Sequence, residues 1–305
     1  MNLIQTVEKK VYTLDEAFEY CAGVTNSHYE NFPVASLFLP EGKRHYLQAI
    51  YAFSRIADDF ADEGGIEPSQ RLELLNDWEH KLVRCYEGEA EHPVFIALND
   101  TVNKLNIPIE PLRDLLTAFK QDVSQSRYET FEELLGYCCC SANPVGRLVL
   151  MIFGYRHEDM YKLSDNICTA LQLANFWQDI SVDVLKDRLY LPLEDMRRYG
   201  VSVEDWKQGA NSEKFKELIK FEVERTREMF FAGSELPEMV DRDLQLELKL
   251  VWFGGMGILK KIERMKFQVQ KQRPHLTTMN KIMILLKGLF INSVSTYGRK
   301  KEELY

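Results

Sequence analysis

Apolar residues recur at helical spacing through almost the whole chain, and this periodicity limits the fold more than any other feature of the sequence. The periodic segments span about residues 45–63, 69–87, 92–105, 109–126, 130–154, 158–185, 212–231, 239–270 and 277–293. Glycine or proline residues separate these segments, and the alternating pattern of a strand is scarce. We therefore expect one all-α domain over residues 1–305, with residues 1–20 and 294–305 at its periphery.

The composition allows a large core and argues against one class of partner. Of the 305 residues, 45% are hydrophobic and 28% are charged, and the formal net charge is -9. Because Lys and Arg form no sustained block, we do not expect the chain to bind nucleic acid. An anionic ligand stays compatible with this charge, since a divalent cation can bridge carboxylates and phosphates.

The cysteines and the N-terminal residues favour a cytoplasmic protein. Cys138, Cys139 and Cys140 are contiguous, which is a poor disulfide framework, and no C-x-x-C pair indicates structural zinc. The opening residues, M-N-L-I-Q-T-V-E-K-K-V-Y, lack the long apolar stretch of a secretory signal. We expect the protein in the reducing cytoplasm.

One apolar stretch, residues 282–291, comes closest to a membrane segment, but Lys287 and Gly288 interrupt it. A helix of the protein core is the favoured interpretation. The alternative is a surface that contacts the inner face of the membrane peripherally, or that admits a lipid substrate.

Acidic side chains gather on one face of the segment 45–63. On a helix, Arg55, Asp58, Asp59 and Asp62 fall on the same side as Gln48, whereas the other sides are mostly apolar. Like charges at this spacing repel by roughly 0.2–0.5 kcal/mol per pair. Such a stripe therefore calls for a compensating cation.

A second segment repeats the arrangement. Gln172, Asn175, Asp179 and Asp183 are spaced three, four and four residues apart within residues 167–185, whose remaining positions are largely apolar. Either stripe alone would fit a solvated helix face. Two acidic stripes that face each other across a cavity would instead hold Mg²⁺, and through it a diphosphate, because unneutralised buried carboxylates are costly.

Such a site suits the ionisation of a diphosphate ester. Arg55 and Arg188 could neutralise the leaving group as fixed cations. A carbocation left behind would need aromatic faces, for which the candidates are Phe53, Tyr137, Phe176 and Tyr190. Aromatic residues at helical spacing are more commonly ordinary core, and that alternative stays open for all of them.

The two stripes carry a family resemblance. R-I-A-D-D-F-A-D and L-Q-L-A-N-F-W-Q-D-I-S-V-D, followed by D-R-L-Y-L-P, resemble the two aspartate-rich motifs of the squalene and phytoene synthases. The likeness extends over about residues 20–275, through S-H-Y-E-N-F-P-V-A-S-L-F-L-P and L-G-Y-C-C-C-S-A-N-P-V-G. It implies an all-α isoprenoid-synthase fold with a central cavity flanked by the two aspartate-bearing helices.

Within that family, E-N-F-P-V-A-S, A-D-D-F-A-D-E and S-A-N-P-V-G-R-L-V-L are most similar to the hydroxysqualene-forming branch of bacterial hopanoid biosynthesis. The resemblance implies that presqualene diphosphate and water become hydroxysqualene and diphosphate. It also implies functional coupling to a presqualene diphosphate synthase and to a hydroxysqualene reductase. The resemblance implies Mg²⁺ as cofactor. Because water capture needs no hydride, we expect no nicotinamide.

The resemblance also implies roles for individual residues. The Mg²⁺ ligands would be Asp58, Asp62, Asp179 and Asp183. The contacts to diphosphate would come from Arg55, Gln172, Asn175 and Arg188. The catalytic residues would be Tyr137, Tyr190, Arg55 and Gln178. Asp59 and Glu63 match the family less closely, as do Ser27 and Ser36, which lie near a segment that commonly contacts diphosphate.

Gln178 is a departure from the family pattern, because synthases that condense two prenyl diphosphates usually have Arg at this place. The loss of a fixed charge favours an enzyme that receives the cyclopropyl intermediate ready-made. Gln178 could also place the water that captures the cation. The alternatives are a condensing presqualene diphosphate or phytoene synthase, a non-catalytic assembly factor on the same fold, and a lipid-binding scaffold. The latter two have no use for intact acidic stripes.

Overall fold

The computed structural model describes residues 11–27, 40–62, 65–209 and 212–297. Ser36 and Glu63 lie outside these ranges. The α-helices are α1 Leu14–Ser27, α2 Glu41–Asp62, α3 Pro68–Tyr86, α4 Pro93–Leu105, α5 Glu110–Ser124, α6 Phe131–Ser141, α7 Asn143–Ile152, α8 Glu158–Asp183, α9 Leu193–Arg198, α10 Val203–Lys207, α11 Glu213–Ala232, α12 Arg242–Arg264 and α13 Thr278–Phe290. Within the described residues there is no β-sheet, only an isolated bridge between Arg127 and Leu189. The expected all-α class is confirmed.

Most of the predicted helical segments match a single helix, but the segment 130–154 is two helices that meet at Ala142. Pro144 lies in the first turn of α7. Proline lacks the N–H that would bond four residues back, and its ring would clash with that carbonyl, so α6 cannot continue through it. At the start of a new helix the same residue is tolerated.

Helix α1 begins within residues 1–20, which were expected at the periphery, and it buries Ala17 and Cys21 completely. It packs against α2 and α4. Near the other end of the chain, Val294 is also fully buried. Both ends of the described chain therefore contribute to the core.

The core consists of two clusters of buried side chains. The first lies among α1 to α5 and α7 and centres on Phe53, Trp78 and Phe95. The second is larger and includes Trp177 of α8 and Trp252 of α12. Phe153 and Tyr161 pack against both clusters. Helix α2 belongs to the first cluster and α8 mainly to the second, so the two predicted acidic stripes sit on different halves of the core.

The segment between α12 and α13, residues 265–277, returns the chain towards α8. Lys266 and Phe267 turn it with φ values of 54° and 59°, in the left-handed region that L-residues seldom adopt. Pro274 is buried in this segment, and Leu276 lies near Gly257 of α12. We call residues 265–277 the α12–α13 loop.

Helix α13 follows a capping box in which Thr277 and Asn280 bond each other's backbone N–H groups. It packs on α12 through Gly288, which lies close to Leu250. By length and hydropathy, the stretch Phe131–Ile152 is the one in the described chain that could cross a membrane. Half of it is buried in the protein and it contains the break at Ala142, so it is weak support for a membrane span.

Candidate active site

The first acidic stripe lies in the last two turns of α2, where Arg55 holds two of its carboxylates. Its guanidinium lies 3.4 Å from Asp58 Oδ2 and 2.6 Å from Asp59 Oδ1. Asp62 is the last residue of the helix. A helix C-terminus carries partial negative charge and disfavours acids. The stripe is therefore stabilised by cations and not by its place in the helix.

The second stripe lies at the C-terminal end of α8. Asp179 forms an ion pair with Arg273 of the α12–α13 loop, with Nη2 at 3.1 Å from Oδ2 and Nε bonded to Oδ1. Asp183 is the last residue of α8, so it too lies where the helix dipole disfavours a carboxylate. Both stripes thus end in an aspartate that needs an external cation.

Arg188 joins the two stripes. Its Nη2 donates to Asp62 Oδ1 at 2.6 Å, and Lys186 Nζ lies 3.4 Å from the other oxygen. Arg188 follows Asp187, which has a left-handed φ of 53° and pairs with Arg127. Arg188 therefore contacts the acidic end of α2, and its charge also acts on Asp183 at the end of α8.

The backbone around Arg188 is fixed by a neighbouring segment. Leu189 N donates to Ser126 O at 3.0 Å, and Leu193 N donates to Tyr128 O at 3.0 Å. These bonds hold residues 188–190 beside the end of α5. Arg188 and Tyr190 consequently project from a braced segment rather than from a free loop.

The carboxylates of each stripe affect each other's ionisation. Burial and the nearby charge of Asp62 raise the pKa of Asp58. Burial and the charge of Asp179 raise the pKa of Asp183 to about 7. Burial would also raise the pKa of Asp62, but the hydrogen bond and charge of Arg188 bring it below its ordinary value. An added divalent cation would relieve the repulsion within both pairs.

Four aromatic rings form a cluster beside these aspartates. Tyr190 stacks on Phe176 with centroids 3.8 Å apart and an interplanar angle of 7°. The ring centroids of Tyr137 and Tyr190 are 6.3 Å apart, and those of Tyr128 and Tyr137 are 5.6 Å apart. The structure thus brings together three of the predicted aromatic residues and adds Tyr128. Their faces are suited to stabilise positive charge.

Phe53 is the exception among the predicted aromatic residues. It is fully buried in the first core cluster, between Trp78 and Phe95. Its position is that of ordinary core, which was the alternative left open for all of these rings. It does not contact the aromatic cluster beside Asp183.

Asp122 of α5 is a site residue that the sequence reasoning missed. Tyr137 Oη donates to its Oδ2 at 3.0 Å. Burial raises the pKa of Asp122 to about 7, although the hydrogen bond from Tyr137 acts in the opposite direction. A signal was present, because Asp122 follows the buried residues Leu115 and Ala118 at helical spacing. An acid on the apolar stripe of α5 could have been singled out.

The remaining predicted residues differ in their surroundings. Gln172 is partly buried and Asn175 is exposed, both on α8. Gln178 does not point to an open space, because its Nε2 donates to Pro274 O at 2.6 Å. Ser27 ends α1, and its hydroxyl donates to Val24 O at 2.9 Å.

The carboxylates of the two stripes fit a Mg²⁺ ion that takes its remaining ligands from water and substrate. Within the described residues, no three His, Cys, Asp or Glu side chains are arranged to hold a metal ion alone. Mg²⁺, however, commonly takes one or two carboxylates together with water and substrate phosphate oxygens. The pairs Asp58/Asp62 and Asp179/Asp183 offer that number of oxygen donors on each side.

A separate cavity of about 490 Å³ lies between α1, α3 and α4. Tyr20, Lys81 and His92 are among its lining residues. None of the predicted site residues lines it. A narrow crevice beside Asp183, Arg188 and Tyr190 lies instead at the site.

Relatives of the chain are found among sequences of known activity. The squalene/phytoene synthase family model matches residues 25–280. A 15-cis-phytoene synthase of Synechocystis sp. is 30% identical over 289 residues, which cover 91% of this chain and 86% of that protein. A hydroxysqualene synthase of Sinorhizobium fredii is 32% identical over 224 residues, covering 73% of this chain and 75% of that protein.

Solved structures show the same fold. Squalene synthase HpnC from Alicyclobacillus acidocaldarius superposes with a TM-score of 0.80 at 40% sequence identity, over 83% of this chain and 95% of that chain. A dehydrosqualene synthase solved with a ligand superposes with the same TM-score of 0.80 at 23% identity, which shows likeness of fold. Since the family model spans most of the sequence, this chain belongs to the squalene/phytoene synthase family and is an enzyme of isoprenoid biosynthesis.

Proposed function

We propose that the protein converts presqualene diphosphate and water to hydroxysqualene and diphosphate, with Mg²⁺ as its cofactor. The observation that carries the reaction class is the pair of acidic helix ends bridged by Arg188 beside an aromatic cluster. The 32% identity with a hydroxysqualene synthase and the 40% identity with squalene synthase HpnC support this choice within the family.

In this proposal, the carboxylates of Asp58, Asp62, Asp179 and Asp183 hold Mg²⁺. When bound, Mg²⁺ would neutralise the charge that develops on the departing diphosphate. Arg55 and Arg188 would donate hydrogen bonds to the diphosphate, and Gln172 and Asn175 of α8 would contact it as well. The C–O bond breaks with its electron pair going to diphosphate.

The aromatic cluster then serves the carbocation. Tyr137, Phe176 and Tyr190 present π-faces while the cyclopropyl cation rearranges. Burial raises the pKa of both tyrosines well above the ordinary value, so their hydroxyls stay protonated and neutral. Water adds to the rearranged cation and loses one proton to solvent, which gives the alcohol without any hydride donor.

The test is an assay of purified protein with Mg²⁺ and no nicotinamide. One sample receives farnesyl diphosphate and another receives presqualene diphosphate, and products are identified by mass spectrometry. We expect hydroxysqualene from presqualene diphosphate and no consumption of farnesyl diphosphate. Equal consumption of farnesyl diphosphate would overturn the proposal in favour of a condensing synthase.

Head-to-head condensation is the second candidate, and one observation favours it. The phytoene synthase relative is matched over 91% of this chain, a larger share than the hydroxysqualene synthase relative. The structure also places Arg273 at Asp179, so the absence of Arg at position 178 does not leave this stripe without a cation. Gln178 alone therefore does not decide between the two reactions.

We further propose that the protein contacts the inner face of the cytoplasmic membrane through α13. Met279, Ile282, Met283, Leu286, Leu289 and Phe290 are each at least 42% exposed. Their positions fall within one side of the helix, opposite Gly288.

Presqualene diphosphate would come from a prenyl-condensing synthase and hydroxysqualene would pass to a reductase. The substrate and the product both carry long hydrocarbon chains that partition into membranes.

A further inference from the structure

The α12–α13 loop approaches the second acidic stripe through two adjacent residues. Gln178 Nε2 donates to the carbonyl of Pro274 at 2.6 Å. The preceding residue, Arg273, places its guanidinium on the carboxylate of Asp179. Gln178 of α8 thus bonds the loop backbone, and the next residue, Asp179, pairs with the loop's Arg273.

Little else in the described chain fixes this part of the loop by polar contacts. For residues 268–276, the described side-chain bonds to other elements are those of Gln178 and Arg273. Gln270 is only 8% exposed, and neither of its amide atoms has a partner within the described residues. Lys266 and Phe267, both with positive φ, turn the chain before it reaches Gln270. Val269 and Pro274 are buried, so apolar packing also holds the loop, and the bond from Gln178 is the described polar contact nearest to Arg273.

We propose that Gln178 is a positioning residue that ties the α12–α13 loop to α8, so that Arg273 delivers a guanidinium to the diphosphate bound at Asp179. This inference rests on the proposed function in so far as the ligand is a diphosphate. It assigns Gln178 a role through Arg273 instead of a direct role in placing water.

A structural role for the ion pair is a weak explanation of the arrangement. The side chain of Arg273 is 52% exposed and that of Asp179 is 18% exposed, and an ion pair with one partner open to solvent contributes only modestly to stability. A guanidinium is, in contrast, well matched to phosphate oxygens, which it binds with two parallel hydrogen bonds. Asp179 would hold Mg²⁺ when the ion is bound, and Gln178 would then keep the guanidinium of Arg273 near the diphosphate site.

The experiment measures the binding of inorganic pyrophosphate in the presence of Mg²⁺ by calorimetry. Gln178→Met keeps the side-chain length but removes the donor, and Arg273→Gln removes the charge. Matched controls are Gln245→Met, since Gln245 Nε2 donates to Pro237 O at 2.8 Å, and Arg264→Gln at an exposed position of α12. Hydrogen exchange of residues 268–277 reports on the loop itself.

We expect Arg273→Gln to weaken pyrophosphate binding by about tenfold, as for the loss of one charge-assisted hydrogen bond. Gln178→Met should weaken it several-fold and speed amide exchange in the loop, whereas the controls leave both unchanged. The double variant should bind no worse than Arg273→Gln alone. The inference would be overturned if the two losses of pyrophosphate affinity multiplied in the double variant. It would also be overturned if Gln178→Met bound pyrophosphate as tightly as the control Gln245→Met.

The two proposals fail separately. If the protein binds Mg²⁺ and pyrophosphate with this pattern of variants but does not turn over presqualene diphosphate, the reaction is wrong and the role of Gln178 stands. If the wild type forms hydroxysqualene while Gln178→Met and Arg273→Gln bind pyrophosphate normally, the role of Gln178 falls. A wild type that does not bind pyrophosphate with Mg²⁺ also contradicts it.

Discussion

Asp62 and Asp183 end α2 and α8, where the partial negative charge of the helix C-terminus adds to the repulsion from the neighbouring aspartates. Each helix thereby keeps acids at the position that is least favourable for helix stability. Arg188 offsets this cost at Asp62, and Arg273 offsets part of it at Asp179. Residues that a helix tolerates only with such compensation are candidates for function.

The first prediction concerns these carboxylates. Asp58→Asn and Asp179→Asn should each lower turnover of presqualene diphosphate by at least about 100-fold, because an amide does not supply the anionic oxygen that Mg²⁺ prefers. The helical circular dichroism should not change. Asp77→Asn, at an exposed site on α3, is the control. Full activity in either site variant would refute the metal assignment.

A second prediction concerns Glu247 of α12, which is 6% exposed and whose Oε2 has no hydrogen-bond partner within the described residues. Burial raises its pKa to about 7. The folded state then binds more protons than the unfolded state between about pH 4.5 and 7, so stability falls as pH rises through this window.

Glu247→Gln should remove this contribution. Urea unfolding at pH 5 and pH 8 should show that the variant loses about 2 kcal/mol less stability than the wild type between the two values. Glu228→Gln, at an exposed position of α11, should behave like the wild type. Equal losses for wild type and Glu247→Gln would show that Glu247 ionises normally.

The sequence singled out candidate residues that repeat along one helix, together with Arg188, Tyr137 and Tyr190, but it did not single out Asp122 or Arg273. Asp58, Asp62, Asp179 and Asp183 share helix faces, so their spacing was sufficient to propose them. Arg273 lies in a loop, and its contact with Asp179 depends on the turn at Lys266 and Phe267. Nothing local in the sequence fixes such a long-range contact.

At the scale of the helices, α12 contains two adjacent glycines with opposite surroundings. A Cβ on Gly255 would lie 2.2 Å from the Phe230 ring of α11, whereas a Cβ on Gly254 would meet nothing within 4 Å. Gly255 thus permits α12 to approach α11 closely. Helix packing therefore explains the second glycine of the G-G-M-G stretch at residues 254–257.

Gly255→Ala should therefore destabilise the fold by about 1–3 kcal/mol through overpacking. Gly254→Ala should stabilise it by about 0.5–1 kcal/mol, since alanine favours the helix and nothing obstructs it. Thermal unfolding of the two variants, each compared with the wild type, checks the pair. Destabilisation by both would indicate that the packing at Gly255 is not the cause.

Helix periodicity predicted the long elements because their buried faces are long. It missed α1, which buries only Ala17 and Cys21, too few residues for a clear period. The segment 130–154 was predicted as one unit because its apolar residues continue across Ala142. Only the backbone chemistry of Pro144 divides it, and a hydrophobic pattern does not contain that information.

At the scale of the molecule, charge and apolar exposure coincide around α13. Residues 260–287 contain eight Lys and Arg and one Glu, although the chain as a whole carries a net charge of -9. The exposed apolar side of α13 lies within this basic region. A bilayer with anionic headgroups matches both features, because basic residues are drawn to it and apolar side chains enter its boundary.

We predict that the protein cosediments with vesicles of phosphatidylcholine and phosphatidylglycerol more than with phosphatidylcholine alone, and that salt weakens the difference. Leu286→Glu combined with Phe290→Glu should lower binding by at least roughly tenfold. Met239→Glu, which alters an apolar residue that is 47% exposed elsewhere, is the control. Equal effects of the two changes would show that α13 is not the contact surface.

The ion pair between Arg188 and Asp62 joins residues 126 positions apart, on the two halves of the core. Half of the acidic residues are contributed by each half, so a molecule in which only one half has folded has no site at all. We therefore expect diphosphate binding and turnover only from molecules in which both clusters of the core have formed. Specific activity should then follow the fraction of completely folded protein.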